Sequence, residues 1–531
     1  MTKRLVIEMR SGAVVEGSSQ RHMTVRAKAG NDTAVTVWLL NKHATNAGIV
    51  ADELVQAGLN TFETDRIKQA HKAAVKNVIF NPATVVSKSG WHGRDFVFDG
   101  RVFRTGEISS FRLHQNLRET HVPYPSKKND DLIDFIDDAA SQSDLLAAAV
   151  MIAFAQPLLG LAQPPERPVV YIWGDSTTGK TSLGSLMNAI TRPPADRELQ
   201  SFDSTQRAFE EKLKYYSDNV AVFDELSSLD DAALEKAFST FIYMAANGRG
   251  KNRSEGSNFP NLRWRTTAVI TGEKDPDTIN ARRKRTGQDA RLLILPVPSR
   301  DEGGIWPSSM TLDERVAMLT KLDALIATYS GHSYLNWIRW VVAKQDEVKI
   351  RYAESVSSYA RQMAGEGGDS LDRRSAVKFA QLAAAGDEII RAGIVAWDDE
   401  LPFEVLNRLY QADRSAKQQS GRGGKTAQQH AISILARCGA GTIPVANRKD
   451  AISSMPAFVK TWDGQPWVMI RKGEVERFAG APEALVMEAL CTTGISVAHG
   501  STPYFQDRRL NKRFLRVSVA DLARLAFGDR A

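Results

Sequence analysis

Val169-Val170-Tyr171-Ile172-Trp173 runs straight into Gly174-Asp175-Ser176-Thr177-Thr178-Gly179-Lys180-Thr181, and no other stretch constrains the chain as tightly. The first five residues are all β-branched or aromatic, which suits a buried strand. The next eight satisfy G-x-x-x-x-G-K-[ST] at every fixed position. A strand that ends in a glycine-containing loop and turns into a helix aims loop amides and the helix N-terminus at one spot, where phosphate oxygens are held. Gly174 and Gly179 permit that turn. Asp175, Ser176, Thr177 and Thr178 form the body of the cradle, and Ser182 opens the helix behind it. Lys180 is expected to reach the β/γ-phosphates and Thr181 to ligand Mg²⁺. Ser182 to Ile190 reads as the required helix, so ATP and Mg²⁺ are the expected cofactors.

A second motif supplies acids. Asn219-Val220-Ala221-Val222-Phe223-Asp224-Glu225 is an apolar strand ending in two carboxylates, a Walker B pattern. In α/β sheets ligands sit at the C-terminal strand ends. Asp224 is therefore expected to hold Mg²⁺, through water, and Glu225 to orient and polarise the attacking water. Arg263 to Glu273 reads as another strand. At its tip, Thr271 is the first candidate for a polar sensor of the γ-phosphate and Glu273 the second, against a simple strand-end turn. Arg291 precedes the apolar Leu292-Leu293-Ile294-Leu295-Pro296. It reads either as a surface arginine or as a finger whose permanent, planar charge acts on a neighbouring subunit's nucleotide. Asn247 to Gly256 is a glycine-rich basic loop containing Arg249, Lys251 and Arg253.

Composition bounds the rest. The 531 residues carry 43% hydrophobic and 25% charged residues, ordinary for a globular chain of several domains. Lysine and arginine exceed aspartate and glutamate, 69 to 62, which permits nucleic-acid contact without requiring it. Two cysteines, Cys438 and Cys491, exclude a disulfide framework and a cysteine-rich zinc site and fit a reducing cytoplasm. The first residues lack the apolar core of a signal peptide. The apolar run Leu145 to Leu161 is interrupted by Gln156-Pro157 and falls short of the ~20 residues a bilayer needs, so no membrane contact is expected.

The chain divides into a mixed α/β N-terminal domain (1–125), a P-loop core (126–300), a helical region (301–414), a Gly/Ser/Gln/Lys linker (415–425) and a small α/β module (426–531). Gly90-Trp91-His92-Gly93 begins a hairpin around Asp99-Gly100, and packing is the favoured role for Trp91 and His92. Helical periodicity covers Leu312 to Val342, Val348 to Met363 and Asp372 to Ala392. In the last module, helices followed by the basic segment Asp507 to Val517, with Tyr504, Phe505 and Phe514 interleaved, are compatible with a winged helix whose basic wing holds phosphate backbone.

Together these motifs resemble the domain of unknown function numbered 927, a helicase-like family of mobile elements and prophages. The resemblance rests on Gly90-Trp91-His92-Gly93, the strand and glycine loop, Ser201-Phe202-Asp203-Ser204-Thr205, Val222 to Leu226, Asn247 to Lys251, Thr271-Gly272-Glu273, Gly287-Gln288-x-x-Arg291-Leu292 and Arg374 to Trp397. It implies an AAA+-like ATPase related to the minichromosome-maintenance group, working as a hexameric ring with single-stranded DNA in a central pore. Arg291 would be the trans-acting finger, Arg374 a sensor arginine touching nucleotide from the lid, and Arg249, Lys251 and Arg253 a pore hairpin gripping DNA. Many relatives carry a fused primase with zinc-binding cysteines. This chain has neither the length nor the cysteines, so priming is not carried over. The expected function is a DNA helicase or translocase in mobile-element replication; the alternative is an ATP-gated DNA- or protein-binding switch that unwinds nothing.

Overall fold

The computed structural model describes residues 4–15, 21–60, 63–106, 111–113, 124–162, 167–224, 231–251, 262–274, 276, 279, 291–365, 370–419, 427–439, 441–445, 455–462, 464–479, 483, 486–487, 490, 505–507 and 512–527. The N-terminal part holds β1 (Leu5–Val15), β2 (Arg21–Ala29), β3 (Val35–Leu40), α1 (Asn41–Ala44), α2 (Ala47–Gln56), α3 (Thr64–Val75), β4 (Ile79–Val86), β5 (Gly90–His92), β6 (Asp95–Phe98), β7 (Arg101–Phe103) and β8 (Phe111–Leu113). The middle holds α4 (Asp131–Ala139), α5 (Asp144–Phe154), α6 (Gln156–Leu161), β9 (Val169–Trp173), α7 (Lys180–Thr191), β10 (Gln200–Ser201), α8 (Gln206–Tyr215), β11 (Val220–Asp224), α9 (Asp231–Asn247), β12 (Thr267–Gly272) and β13 (Leu292–Pro296). Then come α10 (Leu312–Thr328), α11 (His332–Ala343), α12 (Gln345–Ala364), α13 (Ser370–Arg391) and α14 (Leu401–Gln419). The last part holds α15 (Ala427–Gly439), β14 (Ala457–Trp462), β15 (Gln465–Arg471), α16 (Val475–Ala479), β16 (Phe505–Asp507), β17 (Lys512–Ser518) and α17 (Val519–Phe527).

The central sheet runs β10-β11-β12-β9-β13 with every pair parallel. Both of its faces are buried, which is why its strands read as unbroken apolar runs. Val170, Ile172, Val220, Val222, Val269 and Leu293 enter one core. Their alternating neighbours, among them Tyr171, Ala221, Phe223, Ile270 and Ile294, enter the core on the other face. The first core also takes in Tyr334, Trp337, Phe379 and Tyr410. The region expected as a helical lid thus shares one hydrophobic interior with the sheet.

Local chemistry sets where elements stop. The apolar run from Leu145 divides at Ala155, because Pro157 fits only the first turn of a new helix. The periodic stretch from Leu312 divides too. Its first half opens with a capping box between Thr311 and Glu314, and its second starts after Gly331 at φ +78°. The linker expected from residue 415 begins as helix instead. Lys417 donates to the Asp413 carboxylate at 2.6 Å and to the Leu292 carbonyl at 2.8 Å, which fixes α14 to β13 as far as Gln419. Residues 420–426 lie outside the described residues.

The Gly90-Trp91-His92-Gly93 hairpin packs as expected, and on two sides: Val97 and Val102 meet Val86, Phe111 and Leu113 of the N-terminal sheet, and the aromatic residues face the central core. Trp91, Phe96, Phe98 and Phe103 all enter that core. The Trp91 amide donates to Asp218 at 2.8 Å and its indole to the Pro157 carbonyl at 2.8 Å. Arg265 binds Asp218 at 2.7 Å and the Trp91 carbonyl at 3.0 Å. Asp218 itself sits just ahead of β11. Gly90 has φ +100°, and a Cβ there would lie 2.1 Å from the Asp218 carboxylate. Gly90→Ala is therefore expected to destabilise the protein by about 3 kcal/mol through clash and a left-handed backbone. A thermal unfolding curve superimposable on wild type would contradict this tie.

The N-terminal sheet runs β3-β2-β1-β4-β8, mixed in direction, over a core of its own. Strand β2 escapes a run-based reading because Arg26 and Lys28 alternate with buried Val25, Ala27 and Ala29. The C-terminal module departs from a winged helix. Its described residues form a four-stranded antiparallel sheet, β14-β15-β17-β16, with α15, α16 and α17 all packed on one face. Among the described residues, no helix is long and apolar enough to cross a membrane.

Candidate active site

Because the central strands are parallel, their C-terminal ends share one edge. Trp173, Asp224 and Gly272 end β9, β11 and β12 there, with β12 between the other two. Gly174 leaves β9 against the chain that continues β13: a Cβ would lie 2.7 Å from the Val297 carbonyl oxygen. Gly179 has φ +97°, and a Cβ would meet Ile305 at 2.8 Å. Both glycines of the motif are thus required by contact, and Gly179 by its backbone angle as well. Thr177 has φ +61°, uncommon for a β-branched residue and the kind of strain held at functional loops. Helix α7 begins at Lys180, so its free amides open toward the loop.

Lys180 is buried. Its ammonium donates to the Gly174 carbonyl at 2.8 Å and to the Asp175 carbonyl. Burial pulls its pKa below the ordinary lysine value, while Glu273, Asp175 and Asp224 attract its charge and oppose the shift. The Thr181 hydroxyl faces the Asp224 carboxylate at 3.3 Å, and the Thr271 hydroxyl donates to that carboxylate's other oxygen. Thr271 is fully buried, whereas Glu273 is exposed. The two strand tips and the helix start therefore converge on one carboxylate, Asp224. Glu225 lies outside the described residues.

Hydroxyl and carboxylate oxygens facing one another suit a hard cation such as Mg²⁺, which keeps several waters and shares its shell with substrate phosphates. Among the described residues there is no cluster of three or more His, Cys, Asp or Glu able to cage a metal.

Beside the loop lies a cleft of about 1040 Å³, lined by Trp173, Gly174, Asp175, Ser143, Trp306 and Arg408 among others. One wall is the segment Ser299–Trp306. The Ile305 amide donates to the Thr178 carbonyl at 3.1 Å, and the Ser143 hydroxyl to the Ile305 carbonyl at 2.5 Å. Arg408 reaches the rim from α14 and forks onto Asp144 with two bonds of 2.9 Å. Sequence reasoning missed Ser143, the wall and Arg408. Only the Gly303-Gly304 pair signalled a tight turn.

The opposite edge of the sheet carries a second, basic cleft of about 500 Å³. Arg167 and Arg291, which precede β9 and β13, line it with Asn247 and with Arg373, Arg374 and Lys378 of α13. Arg291 lies over the Tyr243 ring at 5.1 Å. A five-residue strand spans about 16 Å, so this edge is remote from the glycine loop. Arg374, expected to contact nucleotide from the lid, lines the same cleft as Arg291.

The basic loop begins as a hairpin just ahead of β12. Arg249 bridges Arg263, Gly250 donates to the Leu262 carbonyl at 3.0 Å, and Trp264 donates to the Gly248 carbonyl at 3.0 Å. Arg249, Lys251 and Arg263 are exposed on its arms. Arg253 lies outside the described residues.

The fold and its site define an α/β protein built on a parallel sheet with attached helical regions. Residues 14–259 match the family model described as "Domain of unknown function (DUF927)", so the family resemblance read from the motifs holds over that part of the chain. A solved structure described as "SCCmec type IV Cch - active helicase" shares the fold, with a TM-score of 0.61 at 14% identity, covering 99% of this chain and 95% of that one. No curated protein matches.

Proposed function

We propose that this protein is a Mg²⁺-dependent ATPase of the P-loop, AAA+-like type that works as a ring on DNA, as a helicase or translocase in replication of a mobile element. The observation that carries this reading is the convergence of the Thr181 and Thr271 hydroxyls on Asp224 beside the buried Lys180. The family match and the shared fold with a structure described as an active helicase support it.

In this reading the amides of Gly174 to Ser182 and the Lys180 ammonium hold the phosphates, and the nucleoside lies in the adjoining cleft. Mg²⁺, when bound, neutralises charge on the β- and γ-phosphates. Asp224 and Thr181 are the side chains to hold it. Thr271 fixes the Asp224 carboxylate in rotation. Glu225 follows Asp224 and polarises the attacking water. The cations at the far edge, Arg291 and Arg374, complete a nucleotide held by the next copy, which their separation from their own loop favours. The Arg249–Arg263 hairpin, with Lys251 and Arg253, contacts DNA in the pore.

One preparation tests the reading. Expected results are a particle several times the 58.6 kDa chain mass with ATP and Mg²⁺, hydrolysis stimulated by single-stranded DNA, and strand displacement on a forked duplex. A monomer whose hydrolysis ignores DNA would sink the motor; hydrolysis with DNA binding but no displacement would favour the ATP-gated switch.

A further inference from the structure

The C-terminal sheet has two unlike faces. One is closed by α15, α16 and α17 over Val459, Val468, Ile470, Leu515 and Val517. Strand register puts Phe458, Lys460 and Trp462 of β14, Trp467 and Met469 of β15, and Phe514 and Arg516 of β17 on the other. Phe458, Met469 and Phe514 are buried in a small cluster of their own. Beyond that cluster the face is open: Trp462 is 40% exposed, and Trp467, Phe505 and Arg516 are half-buried.

Arg516 is the centre of this open part. Its guanidinium lies 4.7 Å from the Phe505 ring, 4.8 Å from Trp467 and 5.5 Å from Trp462. Trp462 meets Phe505 edge-on, and the Lys460 ammonium lies 5.9 Å over Trp462. Among the described residues no carboxylate pairs with Arg516, and no acceptor reaches its Nε. The four strands carry Lys460, Arg471, Lys512, Arg513 and Arg516 against one acid, Asp507.

We infer that this face is a docking platform for single-stranded DNA, separate from the pore hairpin and the ATP site. Rings on an open sheet offer stacking surfaces to unpaired bases, whatever their sequence, and the cations between them meet the phosphates. A duplex hides its base faces and gains only the phosphate contacts. The choice of DNA rests on the functional reading above; the aromatic and cationic geometry does not.

The test is oligo(dT) binding to the full-length protein by fluorescence anisotropy without nucleotide, so its outcome is independent of ATP hydrolysis. Trp462→Ala is expected to weaken binding roughly tenfold, with Trp462→Phe restoring most of it. Arg516→Ala is expected to lower the slope of log affinity against log salt by roughly 0.7, one phosphate contact on a single strand. An oligonucleotide carrying 5-iododeoxyuridine is expected to crosslink to Trp462, Trp467 or Phe505. Crosslinks confined to other residues, affinities of both alanine variants within twofold of wild type, or equal competition by a blunt duplex would each overturn the inference. Preferential binding of an RNA strand of the same length would overturn its choice of DNA.

Discussion

Lys180→Ala is expected to reduce ATP hydrolysis by at least about 100-fold. Phosphoryl transfer leaves the protein little covalent chemistry to do, so positioning and charge carry the rate. Lys180 is the cation at the centre of the loop, buried, with carbonyl oxygens of Gly174 and Asp175 as its present partners. Its reduced hold on its proton comes from burial, and added phosphate charge would oppose that effect. Alanine removes the charge and leaves both loop glycines in place, so the variant should fold and melt close to wild type while turnover disappears. Phosphate release and thermal unfolding, measured on one preparation, separate loss of chemistry from loss of fold. Retained turnover would mean that the loop does not carry the reaction.

Arg291→Ala is expected to be as damaging, by roughly 10³-fold, and for a different reason. Arg291 stands at the sheet edge opposite the glycine loop, at the start of β13, with Arg167 and Arg374 beside it. No motion within a packed sheet brings it to its own Thr181. In the proposed ring its effect would pass between copies. Mixing inactive Arg291→Ala with inactive Lys180→Ala protein should restore part of the activity, because an intact loop on one copy meets an intact arginine on the next. A mixture as inactive as its components, in assembled rings, would contradict a trans role for Arg291.

What the chain revealed in advance was what is local. The strand Val169–Trp173, its loop and its helix lie within one continuous stretch, and the apolar run ending in Asp224 is short and buried on both faces. Thr271 was expected at that edge by the logic of strand tips, as a sensor of the γ-phosphate, but its bond to Asp224 was not. Alternating strands were harder: β2 hides its buried residues among cations, and β14 interrupts Ala457 to Val459 with Lys460. Contacts made by distant residues were not legible. Ser143, Ile305 and Arg408 meet the loop region only through folding, from three separate elements. The grouping of Arg374 with Arg291 is of the same kind, since nothing in either segment says which edge of the sheet α13 will cross. The module expected as a winged helix showed α15, the strand around Trp467 and the basic strand, but not α16, α17, β14 or β16.

In the proposed function the loop from Gly174 to Thr181 and the carboxylate of Asp224 form one ATP-hydrolysing site. Its most direct test is steady-state phosphate release from ATP by the full-length protein and by Lys180→Ala, each with Mg²⁺ and with excess chelator. Turnover is expected only in the wild-type protein with Mg²⁺, and none above background in the other three conditions. Equal release by the two proteins with Mg²⁺, or release by wild type that survives chelation, would contradict it.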